Sequence, residues 1–123
     1  MIVMVAASSL ILAALQESIA APTSAFRGCL HEASAKATNQ KVSADTIEAY
    51  LRNACTVQLG TLKDALIAFR LKNGMTKKSA PGDAEMTIDD YVGTSVDNYK
   101  FAADQNAPRP AAAPSQPPPQ PHN

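Results

Sequence analysis

Residues 29–55 read CLHEASAKATNQKVSADTIEAYLRNAC, and this stretch decides the fold because it carries a cysteine at each end. Cys29 and Cys55 are the two cysteines of the chain, and the midpoint between them is position 42. Residues 38–42, TNQKV, interrupt the apolar pattern at that midpoint, which predicts a turn between two helices. Residues equidistant from the turn of an antiparallel helical hairpin face each other. We therefore predict a disulfide between Cys29 and Cys55, which requires Cα atoms closer than ordinary helix packing brings them.

Apolar residues on both sides of this turn recur every three or four positions, as expected for helices that each bury one face. The first helix is predicted over residues 23–38, with Thr23 or Ser24 as its cap. The second is predicted over residues 44–73, with Ser43 or Asp45 as its cap. Gly74 supplies the left-handed residue that ends helices. The predicted buried face of the first helix consists of Phe26, Leu30, Ala33 and Ala37. The second helix carries apolar residues at the same spacing: Ile47, Leu51, Cys55, Leu59, Leu62, Leu66 and Phe69.

A third helix is predicted after a polar linker over residues 75–85. It begins at Thr87, which has a capping oxygen and is followed by two acidic residues, and it covers residues 87–104. Residues 91–96, YVGTSV, could alternatively form a short strand, but a lone strand without a partner is rarely stable. The predicted class is therefore all-α: a small disulfide-clamped antiparallel helical hairpin plus a third helix.

The N-terminus carries an unbroken run of apolar or small residues from Met1 to Leu15. Small residues then stand at Ser18 and Ala20, which predicts a secretory signal peptide over residues 1–20 with cleavage between Ala20 and Ala21. Fifteen apolar residues are fewer than the roughly 20 that span a bilayer, and no Lys or Arg precedes the run. The alternative is a retained apolar helix that tethers the protein to a membrane.

The C-terminus changes composition after Asn106. Residues 107–123 consist mostly of Pro, Ala and Gln, so we predict a disordered Pro-rich tail. Residues 21–106 remain as one small helical domain. In a domain of this size, a disulfide is expected to contribute roughly 3–4 kcal/mol of stability.

The net charge is zero, but positive and negative residues are unevenly distributed along the chain. Residues 27–78 carry nine Lys or Arg against four Asp or Glu, whereas residues 79–106 carry one against six. We expect the acidic third helix to pack against the basic hairpin. The alternative is a basic face presented to an acidic partner. No Lys/Arg cluster with interleaved aromatic residues is present, so nucleic-acid binding is not predicted.

Side chains that could support catalysis or hold a metal ion are sparse in this sequence. His31 and the tail residue His122 are the two histidines, and His31 points away from Cys29 on a helix, so no metal-ligand set is predicted. No Gly-x-Ser-x-Gly motif or phosphate-binding loop occurs. Asp89 and Asp90 are adjacent and diverge on a helix. We therefore predict no catalytic, cofactor-binding or metal-binding residues.

These patterns together predict a small exported protein of the periplasm or the extracellular space. It is expected to be non-catalytic and to bind another macromolecule of the cell envelope. Cys29 and Cys55 leave a thiol-disulfide sensor as an alternative, although no Cys-x-x-Cys motif supports it. A homodimer is also possible, because Leu62, Leu66 and Phe69 are expected to leave an apolar strip exposed.

Overall fold

The computed structural model of the protein describes the backbone of residues 7–107 and the side chains from residue 18 onward. The described part of the chain contains four α-helices and no strand, which confirms the all-α class. The helices are α1 (Ala7–Asn39), α2 (Ile47–Ala54), α3 (Thr56–Lys72) and α4 (Ala80–Asn106). Residues 1–6 of the predicted signal peptide and residues 108–123 of the predicted tail lie outside the described residues.

The arrangement is a bundle with three arms. The first arm is α1, the second is α2 followed directly by α3, and the third is α4, which packs against all of the others. The predicted apolar face of α1 is confirmed, since Phe26, Leu30, Ala33 and Ala37 are all buried. The second and third arms contribute the rest of the core: Ile47, Leu51, Cys55, Leu62, Leu66, Ala84, Ile88, Val92, Val96 and Tyr99.

The first helix is longer than predicted. It begins at Ala7 rather than at residue 23 and runs through the predicted cleavage position between Ala20 and Ala21. Pro22 lies inside it, and the Thr23 hydroxyl donates to the Ile19 carbonyl at 2.6 Å, so Thr23 bonds within the helix and does not cap it. Over the described residues, no helix is long and apolar enough to cross a membrane.

The second predicted helix is two helices. The first of them, α2, starts at Ile47, and its N-cap residue is Thr46, which makes no side-chain capping bond. The predicted caps Ser43 and Asp45 were therefore wrong. The predicted helix breaks at Cys55, whose φ of −110° and ψ of 24° leave the helical region. The Thr56 hydroxyl lies 3.1 Å from the Arg52 carbonyl and competes there with the backbone ladder.

The third predicted helix begins at Ala80, seven residues before Thr87, so the linker is shorter than predicted. Pro81 lies in the first turn, where its missing N–H is not needed. The N-cap residue is Ser79 rather than Thr87, and it makes no side-chain capping bond. In the turn before it, the Thr76 hydroxyl accepts a hydrogen bond from the Ser79 N–H at 3.2 Å. The predicted linker over residues 75–85 was therefore wrong for residues 80–85, which form the first turns of α4.

Two helices end in the same way, with a residue of positive φ. After α1, Lys41 has φ 55° and the Val42 N–H donates to the Ala37 carbonyl at 3.0 Å. After α3, Gly74 has φ 93° and the Met75 N–H donates to the Arg70 carbonyl at 3.0 Å. Both are Schellman motifs, in which the left-handed residue lets the chain satisfy the last carbonyl groups. The predicted role of Gly74 is confirmed.

The far end of α4 is tied to the turn between α1 and α2. The Tyr99 hydroxyl donates to the Val42 carbonyl at 2.5 Å and lies 3.3 Å from the Ala37 carbonyl oxygen. Both acceptors belong to the Schellman end of α1. The helix α4 therefore stabilises a turn that is formed by residues much earlier in the sequence.

We expect opposite effects from two glycine-to-alanine substitutions. Gly74→Ala places a side chain at φ 93° and should lower the free energy of unfolding by about 1 kcal/mol. Gly93→Ala, inside α4 with nothing within 4 Å of an added Cβ, should raise it by about 0.5–1 kcal/mol. Urea denaturation followed by circular dichroism measures both. Equal changes for the two variants would contradict the assignment of the α3 end.

Candidate functional site

The predicted disulfide between Cys29 and Cys55 is confirmed. The S–S distance is 2.09 Å and the Cα atoms lie 5.9 Å apart, within the normal range for a disulfide. Cys55 is fully buried and Cys29 is half-buried. The bond joins the middle of α1 to the junction of α2 and α3, so it clamps the first two arms of the bundle to each other.

Removal of the disulfide should be costly. Cys29→Ala combined with Cys55→Ala frees a loop of 26 residues in the unfolded chain, which should lower the free energy of unfolding by roughly 3–4 kcal/mol. Denaturant titration of the oxidised protein and of the double variant measures the difference. Dithiothreitol should destabilise the original protein by a similar amount and leave the variant unchanged. A variant as stable as the oxidised protein would contradict this role.

One side of α4 makes ion pairs with α2 and α3. Arg52 contacts Glu48, Glu85 and Asp89, and Lys63 contacts Glu85 at 2.8 Å. Arg70 contacts Asp83 at 2.5 Å in the same way. The acidic helix thus packs against the basic hairpin, as the charge division predicts. The hydrogen bond from Arg52 to Asp89 is the main cause that raises the pKa of Arg52 above its ordinary value, so this guanidinium stays charged at physiological pH.

Substitution of Arg52 tests this contact between arms. Arg52→Gln leaves the carboxylates of Glu85 and Asp89 without their shared cation and should lower the free energy of unfolding by about 1 kcal/mol at low salt. Because salt screens partly exposed charges, the difference should shrink in 1 M NaCl. Lys100→Gln is the matched control, since the exposed Lys100 makes no ion pair among the described residues. An equal loss of unfolding free energy in both variants would indicate a general effect of charge and would contradict a specific role of Arg52.

The other side of α4 faces α1 across an open groove of about 930 Å³. Leu30 and Tyr99 are the buried residues among those that line it. Small residues border it, including Gly28 and Ala35 on α1 and Ala102 on α4. These side chains are too short to fill the space between the helices, and the groove results.

Polar donors line the walls of this α1–α4 groove. Arg27 and His31 belong to α1, and Ser95 and Asn98 belong to α4. The lining contains no Asp or Glu. The groove therefore presents positive charge, hydroxyl groups and amide groups to whatever enters it, which are the groups that bind carboxylates and other oxyanions.

Arg27 is held in position by an aromatic ring. Its guanidinium carbon lies 6.0 Å from the ring centroid of Tyr91, a distance at which cation–π attraction operates. Tyr91 in turn meets the buried Phe26 edge-on, with ring centroids 6.4 Å apart and an interplanar angle of 85°. Arg27 makes no ion pair with any described residue, in contrast to Arg52 and Arg70. Its charge remains available for a ligand.

The structure places the other sequence-derived candidates as follows. Ala20 and Ala21 are exposed residues within α1, and cleavage between them stays a prediction. His31 is exposed, and it also lines the groove, which the sequence interpretation missed. Among the described residues, no group of three or more His, Cys, Asp and Glu side chains is placed to hold a metal ion.

A pattern in the sequence could have revealed the groove. Small or polar residues recur on α1 at positions 24, 28, 31, 35 and 38, beside the apolar stripe. On α4 the groove residues 91, 95, 98 and 102 have the same spacing of three and four. Two such stripes on neighbouring helices indicate faces that meet without filling the space between them.

Comparisons of this chain with protein-family models, with curated proteins and with solved structures give no match. The fold and the site therefore define the class by themselves: a small all-helical protein with a disulfide clamp and an open polar groove between its first and last helices.

Proposed function

We propose that this protein is a small exported, non-catalytic binding protein, and that its α1–α4 groove binds an acidic segment of another macromolecule of the cell envelope. The observation that carries this proposal is Arg27, held over the Tyr91 ring in a groove without a carboxylate. An arginine that is already positioned loses little side-chain entropy when it binds a carboxylate, and its planar group matches a carboxylate geometrically.

The proposed location in the periplasm or the extracellular space rests on two features of the chain. Disulfides persist mainly in oxidising compartments, and this domain contains one. The apolar run from Met1 to Leu15, followed by small residues up to Ala20, has the composition of a secretory signal. Both features support the proposal that the protein is exported.

A second candidate, in which the N-terminal segment is retained, is favoured by the continuity of α1. The helix runs without a break from Ala7 through Ala20 and Ala21 into the core. The intact mass of the protein recovered from the cell envelope separates the two candidates. A chain that starts at Ala21 supports cleavage, and a chain that starts at Met1 supports retention.

The groove is tested by site-specific photo-crosslinking in cells. A crosslinking amino acid at Ser95 lies in the groove, whereas one at Phe101 lies on the exposed outer side of α4. We expect one discrete crosslinked product from Ser95 and none of that mass from Phe101. The product should weaken at high salt, because the contact between Arg27 and its ligand is partly exposed.

Arg27→Gln and Lys100→Gln form a matched pair, since each removes one positive charge. We expect Arg27→Gln to reduce the Ser95 crosslink at least tenfold, as loss of a charge-assisted hydrogen bond worth about 1.5–3 kcal/mol implies. Lys100→Gln should leave the crosslink unchanged. Equal crosslinking from Ser95 and Phe101, or a Ser95 product that is insensitive to Arg27→Gln, would overturn the assignment of the groove as the binding site.

A further inference from the structure

The apolar strip that the sequence predicts on the second helix is not open to a partner. Leu62, Leu66 and Phe69 were expected to be exposed and to allow a homodimer. The structure corrects this, because Leu62 and Leu66 are buried in the core of the bundle and Phe69 is half-buried. The α1–α4 groove is open instead, and the residues on its walls indicate which ligand it takes.

Arg27 and His31 lie four positions apart on α1, and both line this groove. Side chains at that spacing lie on the same side of a helix, with their Cβ atoms about 6 Å apart. Both residues are exposed, and neither forms an ion pair with a described residue. The groove therefore holds an imidazole one helical turn away from the guanidinium on which the proposed function rests.

The α4 residues opposite His31 carry no charge. Tyr91 and Tyr99 each contact α1, at offsets of 65 and 62 positions along the sequence. These offsets bracket His31 and place it opposite residues 93–96 of α4. The residues of that stretch that line the groove are Thr94 and Ser95. Hydroxyl groups, and not carboxylates, thus face the imidazole across the groove.

The charged residues nearest to His31 along α1 and α4 lie outside the groove lining: Glu32 on α1, and Asp90, Asp97 and Lys100 on α4. Glu32 follows His31 directly, so its side chain points about 100° away around the helix. The helices α2 and α3 contribute no residue to the lining, and the titratable groups that share it with His31 are Arg27 and the two tyrosines. A negative charge that favours a proton on His31 therefore has to come from a ligand.

We propose that His31 binds a second carboxylate of the acidic ligand, so that the groove selects a segment with two acidic residues and takes up a proton from solvent when it binds one. This inference rests on the proposed function, in which Arg27 binds the first carboxylate. Histidine side chains in general change charge between about pH 5 and 8, whereas arginine stays charged. A carboxylate beside an imidazole favours the protonated form. The complex thus holds more protons than the free protein, and the affinity rises as the pH falls through this range.

The dimensions of the groove indicate an extended ligand. Its lining runs along α1 from Ser24 to Thr38, which is about 21 Å. An extended chain rises about 3.3 Å per residue, so about six residues fit, and side chains on one side of it recur about every 6.6 Å. This spacing matches the distance of about 6 Å between Arg27 and His31. We therefore expect the two acidic residues at alternate positions, as in Glu-x-Glu.

Isothermal titration calorimetry of the protein recovered from the cell envelope tests this inference. The probe is the hexapeptide Gly-Glu-Ala-Glu-Ala-Gly with both ends capped, whose carboxylates are charged from pH 6 to pH 8. We expect a dissociation constant about five- to tenfold lower at pH 6 than at pH 8, because charge-assisted hydrogen bonds are roughly twice as strong as neutral ones. Titrations in two buffers with different heats of ionisation count the protons, and we expect uptake of about half a proton per peptide near pH 7.

Two histidine variants and a second peptide assign the proton. His31→Gln should bind the peptide equally at pH 6 and pH 8 and take up no proton. His122→Gln is the matched control, since His122 is the other histidine of the chain, and it should keep both effects. A peptide with one glutamate replaced by glutamine leaves a single carboxylate for Arg27, and its binding should lose the dependence on pH.

The outcomes separate this inference from the proposed function. Peptide binding that is lost in Arg27→Gln but is equal at pH 6 and pH 8 overturns the role of His31 and leaves the proposed function standing. Proton uptake that persists in His31→Gln overturns it in the same way. Absence of peptide binding at both pH values also overturns the inference, and the Ser95 crosslink then decides the proposed function by itself.

Discussion

The bond between the Cys29 and Cys55 sulfurs sets the register of the whole bundle. It places Cys29 of α1 against the junction of α2 and α3, and α1 contacts both of these helices. The core of a domain this small consists of aliphatic and small side chains, together with Phe26 and Tyr99, and contains no tryptophan. A covalent link between its first two arms therefore carries a share of the stability that a larger protein would obtain from apolar burial alone.

The fourth helix separates two kinds of surface. Its acidic residues Asp83, Glu85 and Asp89 meet cations of α2 and α3, so charge on that side is neutralised within the molecule. Its opposite side carries Ser95 and Asn98 and faces Arg27 of α1, whose charge no described carboxylate neutralises. One helix thus uses its charged residues to hold the bundle together and its neutral polar residues to line an open groove. The two roles do not compete because they lie on different faces of the helix.

Sequence reasoning succeeded where a pattern reflects a single local cause. The symmetric placement of Cys29 and Cys55 about position 42 indicated their pairing, and Gly74 indicated the end of a helix by its freedom to adopt positive φ. It failed where tertiary contacts override local preference. The break at Cys55 interrupts an otherwise continuous apolar repeat at the residue that forms the disulfide. Likewise, the sequence shows a stripe of small and polar residues on each of α1 and α4, but it does not show that the two stripes lie opposite each other. Lys41 shows the limit most clearly, because nothing about lysine indicates a left-handed conformation.

The hydrogen bond from Tyr99 to Val42 also has a consequence for the order in which the molecule is made. It joins residues 57 positions apart, and the second contact of the same hydroxyl, with Ala37, joins residues 62 apart. The turn between the first two helices therefore reaches its final form only after the ribosome has released nearly all of the helical region. Until then the nascent chain holds local helices without the contact that closes them into a bundle. The final geometry of an early turn is therefore set by one of the last helical residues to be synthesised.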